Sequence, residues 1–166
     1  MKIKAVSPLI ATIILIALTV ALGAIIVGWA RGYVSSQVSN LGAQVQILQV
    51  SYNDSNGNIS ILVQNIGSTQ LIANNLLVEF SSTNGESQKC PLALSGNAQG
   101  YLECYIYNIT DPSSGNSYIN GTIPQNKIFL INMTVNMNSF GITSLGGSTI
   151  YVYYYDNPIS NGYTIS

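Results

Sequence analysis

Two patterns of apolar spacing divide this chain. From Ala5 to Ala30 no charged side chain occurs, and Ile, Leu, Val and Ala dominate. The run has no polar stripe, so as a helix it is apolar around its whole circumference. It exceeds the roughly 20 residues a helix needs to cross a bilayer. Ser7 followed by Pro8 predicts the helix start: Ser7 can cap free N–H groups, and Pro8 fits the first turn without losing a bond. Helix is expected through Trp29, Tyr33 and Val34 to about Ser39 or Asn40, with Gly42 as its stop. From Pro8 to Asn40 such a helix measures about 50 Å, so its C-terminal third lies beyond the hydrocarbon.

From Gln44 onward the period falls to two. In "KIFLINMTVNM" Phe129, Ile131, Met133, Val135 and Met137 share one face, and Asn132, Thr134 and Asn136 the other. "NISILVQNIG" groups Ile59, Ile61 and Val63, and "STIYVYYYD" groups Tyr151, Tyr153 and Tyr155. Further strands are expected at 44–52, 71–81, 87–94, 100–109 and 159–165. Turn residues separate them: Asn56-Gly57 as a hairpin, then Ile66-Gly67-Ser68, "STNGE" at 82–86, "DPSSGN" at 111–116, Gly146-Gly147 and Asn157-Pro158. About eight short strands at this spacing predict an antiparallel β-sandwich. The expected fold class is α+β, a long hydrophobic helix followed by that sandwich. The expected division is a basic leader at 1–5, the helix at 6–41 and the β domain at 44–166.

Composition narrows the function. Charged residues make up only 7% of the 166, five Lys+Arg against six Asp+Glu. The net charge of −1 offers no basic face for nucleic acid. There is no histidine, which removes the commonest general base and metal ligand. The acids Asp54, Glu79, Glu86, Glu103, Asp111 and Asp156 form no local catalytic pair, and Asp54 and Asp111 sit where Asp bonds its own turn. No phosphate loop, nucleophile elbow or metal motif occurs, so neither a cofactor nor an enzyme activity is expected.

Lys2 and Lys4 precede the apolar run and place the N-terminus on the cytoplasmic side, with the β domain outside. A secretory signal would end in small residues after its apolar core, but "GWARGYVSSQ" puts Trp, Arg and Tyr there. A retained helix is therefore expected. Lys4-Ala5, then Val6-Ser7-Pro8-Leu9-Ile10, then an unbroken apolar helix resembles the start of an archaeal type IV pilin. The resemblance implies that a membrane-embedded prepilin peptidase cuts between Ala5 and Val6. It also implies that an assembly ATPase and a membrane platform move the membrane-held subunit into a helical homo-oligomeric filament at the cell surface. Ile10 stands where bacterial pilins usually carry Glu, which matches the archaeal branch. "SILVQNIGSTQLIANNLLVEF" resembles the immunoglobulin-like outer domains of archaeal pilins and archaellins, where Asn-x-Gly joins two early strands.

Several residues are expected to serve assembly and the outer surface. Gly28 and Gly32, with Ala17 and Ala21, give small positions that permit close helix packing. The two cysteines, Cys90 and Cys104, read as one disulfide in an oxidising compartment, the alternative being two buried free thiols. Asn-x-Ser/Thr occurs at Asn53, Asn58, Asn108, Asn120 and Asn132, which are candidate glycosylation sites or else plain surface asparagines. Few carboxylates leave acid little to protonate, which suits an acidic, hot habitat. The expected function is a structural pilus subunit used for adhesion. The alternative is a single-pass surface protein whose sandwich binds a ligand or sugar, and a secreted enzyme is the weakest reading.

Overall fold

The computed structural model describes residues 8–93 and 103–166. Ala5, Val6 and Ser7, and with them the leader and its cut, lie outside the described residues, as do position 94 and positions 100–102 of two expected strands. The chain divides into two units, with the boundary between Leu41 and Gly42. The first contains one uninterrupted helix, α1 (Pro8–Leu41). It ends one residue beyond the expected Asn40.

The second unit is a two-sheet antiparallel sandwich, so the chain as a whole is α+β. One sheet orders β1 (Val45–Asn53), β2 (Asn58–Asn65), β8 (Ile128–Val135) and β6 (Cys104–Thr110) as β1-β2-β8-β6. The other orders β10 (Asn157–Pro158), β9 (Thr149–Tyr154), β4 (Leu76–Ser81) and β5 (Ser87–Cys90), with β11 (Tyr163–Thr164) also on β9. A two-stranded pair joins β3 (Leu71–Ile72) to β7 (Thr122–Ile123). The core is where the alternation puts it. Ile59, Ile61 and Val63 of β2 and Phe129, Ile131 and Met133 of β8 are buried against Leu76, Val78 and Phe80 of β4 and Ile150 and Val152 of β9. Phe140 meets Phe80 edge-on, with ring centroids 5.2 Å apart.

Three expectations need correction. The strand expected at 159–165 shrinks to β11 at Tyr163–Thr164. The single strand at 71–81 is broken by a 3-10 turn at Ala73–Asn75. Up to the first residue of the turn the odd positions Leu71 and Ala73 are buried. After it the even positions Leu76, Val78 and Phe80 are. The turn inserts the half-period that a continuous strand lacks. The turn expected at Asn157-Pro158 lies instead at Tyr155 and Asp156, both left-handed with φ of 49° and 64°. That is the geometry of a tight two-residue hairpin. Tyr151 and Tyr153 do share the outer face, but Tyr155 has left the strand.

Both flanks of the sandwich are clasped. Cys90 of β5 and Cys104 of β6 form a disulfide that joins the two sheets. Beyond it, the Ile106 N–H donates to the Pro91 carbonyl and the Ala93 N–H to the Ile106 carbonyl, at 2.8 and 2.9 Å. On the opposite flank the Val45 N–H donates to the Ile159 carbonyl at 2.9 Å. The bridge closes a loop of 14 residues. Its removal in Cys90→Ser/Cys104→Ser is expected to cost the β domain about 3 kcal/mol. A urea-unfolding midpoint unchanged by reduction would contradict this.

Candidate functional site

The largest candidate surface is the helix itself. Ile10 to Trp29 is a 20-residue span long and apolar enough to cross a membrane. Its large side chains, from Ile10 through Val27, are all exposed. Thr19 Oγ donates to the Ile16 carbonyl at 2.9 Å, so its hydroxyl brings no unmet polar group to that surface. Ala17, Ala21, Gly28 and Gly32 follow one another at spacings of four, seven and four, which lays them along one helix stripe. A Cβ added at Gly28 or Gly23 meets open space, so bulk there disturbs nothing within the protomer.

The sequon asparagines occupy two settings. Asn53 ends edge strand β1, is exposed, and its Oδ1 accepts from the Ser55 N–H at 2.9 Å. Asn120 is exposed in a left-handed turn (φ 61°) and pairs reciprocally with Asn74. Asn74 Nδ2 donates to Asn120 Oδ1 at 2.8 Å, and the Asn120 N–H donates to Asn74 Oδ1 at 3.1 Å. Asn58, Asn108 and Asn132 are half-buried on the outer face of the first sheet. There Thr134 Oγ donates to Asn58 Oδ1 at 2.6 Å, Ser60 Oγ to Asn132 Oδ1 at 2.8 Å, and Ser117 Oγ to Asn108 Oδ1 at 3.4 Å.

Three clusters have partners that sequence reasoning did not reach. The first centres on Asn65, which is fully buried. Its Nδ2 donates to the carbonyls of Thr69 and Pro124 at 3.0 and 3.1 Å, and its Oδ1 accepts from the Gly67 N–H at 3.1 Å. Gly67 lies so close to the Gly42 carbonyl that no Cβ fits. The Asn-x-Gly motif therefore ties the first residues after α1 to two loops of the sandwich. The second lies on the outer face of the second sheet. Lys89 Nζ is 2.9 Å from Asp156 and 4.6 Å from the Tyr153 ring centroid. The Glu79 carboxylate hydrogen-bonded to Tyr153, with some burial, pushes the Tyr153 hydroxyl up to about 12. The grouping of Tyr151 with Tyr153 on one face was the only sequence signal near this group, and nothing singled out Glu79 or Lys89.

The third is Asp111, which is buried and paired with Lys127 at 2.8 Å. As expected it also bonds its own turn, accepting from the Ser113 N–H at 2.9 Å. Asp54 does not: it accepts from the Leu145 N–H at 2.8 Å and the Ser144 hydroxyl at 3.0 Å, across the fold. Lys127 first, and Ser113 second, hold the Asp111 carboxyl far below the usual carboxylate range. A depressed folded pKa stabilises above the unfolded value of about 3.9, and the benefit fades as pH falls toward the folded pKa. Asp111→Asn is thus expected to be less stable than wild type at neutral pH, with the gap narrowing below about pH 4. A gap independent of pH in thermal melts would refute this assignment.

Among the described residues no three His, Cys, Asp or Glu come together as a metal site. A shallow, open depression lined by Thr83, Asn84, Gly141, Ile142, Thr143, Ser144 and Gly146 holds no titratable group. No protein family model matches the sequence, and no curated protein matches it. Among solved structures the chain is similar to the archaellum periplasmic stator protein FlaG from Sulfolobus acidocaldarius. That match has 20% identity, 74% of this chain and 99% of the other covered, and a TM-score of 0.48. It is also similar to the FlaF and FlaG stator complex of the same organism (17% identity, 74% and 88% covered, TM-score 0.46). A third is the archaeal flagellin FlaB1 from Methanocaldococcus jannaschii (15% identity, 74% and 90% covered, TM-score 0.43).

Proposed function

We propose that this chain is a structural subunit of an extracellular archaeal filament of the type IV pilus kind. One observation carries the reading: a helix with exposed apolar side chains on every face is joined to a sandwich that has its own complete core. Such a helix is stable only in lipid or among like helices. Lipid holds it first, with Lys2 and Lys4 keeping the N-terminus inside, and copies of itself hold it afterwards. Burial between neighbours contributes roughly 1.5–3 kcal/mol per large apolar side chain before entropy is charged. The pilin-like start implies the peptidase, ATPase and membrane platform as partners in that transfer. The sandwich forms the outside, where adhesion is its role and sequon glycans cover a surface poor in charge. Scarce carboxylates, with Asp111 held ionised, fit a filament that works in acid.

The test is electron microscopy of the medium sheared from cells that make the chain, with mass spectrometry of the filaments. Filaments containing the chain, beginning at Val6, are expected at about pH 2 as well as near neutrality. Recovery only from detergent-extracted membranes would instead favour the single-pass surface protein.

A further inference from the structure

The five sequons are equivalent in sequence but not in the fold. N-glycosylation uses the side-chain Nδ2 and leaves Oδ1 untouched, so an acceptor needs an outward, unspent nitrogen and a backbone an enzyme can reach. Asn53 and Asn120 meet both conditions. A backbone N–H can only donate, so Ser55 fixes which atom of Asn53 is the oxygen and leaves Nδ2 pointing elsewhere. At Asn120 the same logic runs through its neighbour. The Asn120 N–H fixes Asn74 Oδ1, so Asn74 presents Nδ2, and Asn120 must answer with Oδ1. Neither Nδ2 has a hydrogen-bond acceptor among the described residues. Both asparagines are exposed, as are their sequon hydroxyl residues Ser55 and Thr122.

Asn58 and Asn132 are different, because their two sequons lock each other. The strands β2 and β8 run antiparallel with Asn58 opposite Thr134 and Ser60 opposite Asn132. The hydroxyl of each sequon therefore caps the asparagine of the other: Thr134 to Asn58, and Ser60 to Asn132. Asn132 is also paired through β6 to Asn108, so its strand is held on both sides. Lifting either sequon into an enzyme groove would break ladder bonds and both hydroxyl bonds together.

We infer that the folded domain is glycosylated at Asn53 and Asn120, and that Asn58 and Asn132 are a structural pair that stays unmodified. This rests on the reading that the sandwich lies outside the cell. In the step, the asparagine Nδ2 attacks the anomeric carbon of a lipid-linked glycosyl phosphate. The C1–O bond breaks, the lipid phosphate leaves with its electron pair, and Nδ2 gives up one proton.

Glycopeptide mass spectrometry of the full chain from its native cells tests this. Glycan is expected on the peptides holding Asn53 and Asn120, with Asn58 and Asn132 at their bare masses. Asn53→Gln and Asn120→Gln should each remove one glycan from the intact mass, and Asn132→Gln none. Glycan on Asn58 or Asn132 would overturn the inference, since modification would then precede folding. A bare Asn53 or Asn120 beside a modified Asn108 would overturn it too. A chain bare at all five sites would overturn it along with the glycan coat, whereas the filament reading stands or falls on microscopy.

Discussion

Asn65→Ala is expected to destabilise the β domain by about 2–4 kcal/mol, a large effect for a single polar substitution. The side chain is fully buried and meets four backbone groups: the carbonyls of Thr69, Pro124 and, at 3.4 Å, Ile123, and the N–H of Gly67. The Gly67 N–H also donates to the Gln44 carbonyl and the Lys127 N–H to the Pro124 carbonyl, so the Thr69 and Ile123 carbonyls lose most. Each buried group left unmet costs about 1–3 kcal/mol, and the small cavity admits at most partial relief. A domain of this size has about 5–15 kcal/mol in total, so the variant would keep a thin margin. Asn65→Asp separates hydrogen bonding from volume. It keeps the acceptor for Gly67 but turns an oxygen toward three carbonyls, so at neutral pH it should be at least as damaging. Urea unfolding followed by circular dichroism reads both variants. A neutral Asn65→Asp would show that the site tolerates repulsion and that the hub matters little.

Val20→Lys is expected to abolish filaments while leaving the chain in the membrane. Val20 lies midway along the span from Ile10 to Trp29. A lysine at a helix centre costs about 2.5–3.5 kcal/mol on insertion, while the ten large aliphatics that remain there favour insertion by about 0.3–0.6 kcal/mol each. Their combined contribution, about 3–6 kcal/mol, holds the helix in lipid, where the ammonium can also snorkel. A filament core offers no such escape. The ammonium would be desolvated among apolar helices without a partner, at several kcal/mol in every subunit. Membrane fractionation should therefore match wild type while microscopy finds no filaments. Normal filament numbers would show that this face of the helix stays wet or free, as a lone anchor would be.

What could be read beforehand followed the range of the interactions concerned. The helix declared itself because an uncharged apolar run needs no tertiary partner to be recognised. The disulfide was legible because only two cysteines exist to form it. Alternation placed Phe129, Ile131 and Met133 in the core correctly, since period two is local. Failures came where a distant contact decides. The half-period inserted at Ala73–Asn75 makes sense only once β3 and β4 are seen to serve different sheets. Tyr155 takes a left-handed conformation that its side chain disfavours, beside the Lys89–Asp156 ion pair formed across 67 residues. The Asn-x-Gly motif was visible as a pattern, but its reason is Pro124, 59 residues away. The two interlocked sequons required the register of β2 on β8.

The clasped flanks have a consequence for crowding. A filament holds its outer domains shoulder to shoulder, at local concentrations where any bare strand edge would recruit a neighbour's. Here β6 is shielded by the disulfide and the pairing of Leu92, β1 is kinked by a bulge between Ile47 and Gln49, and β5 is four residues long and carries Lys89. In the filament proposed above the sheets would therefore have little to offer one another, and the helix would be the surface through which copies join. Growth of such a filament would then proceed along one axis, and the sandwiches could sit side by side without knitting adjacent filaments into a sheet.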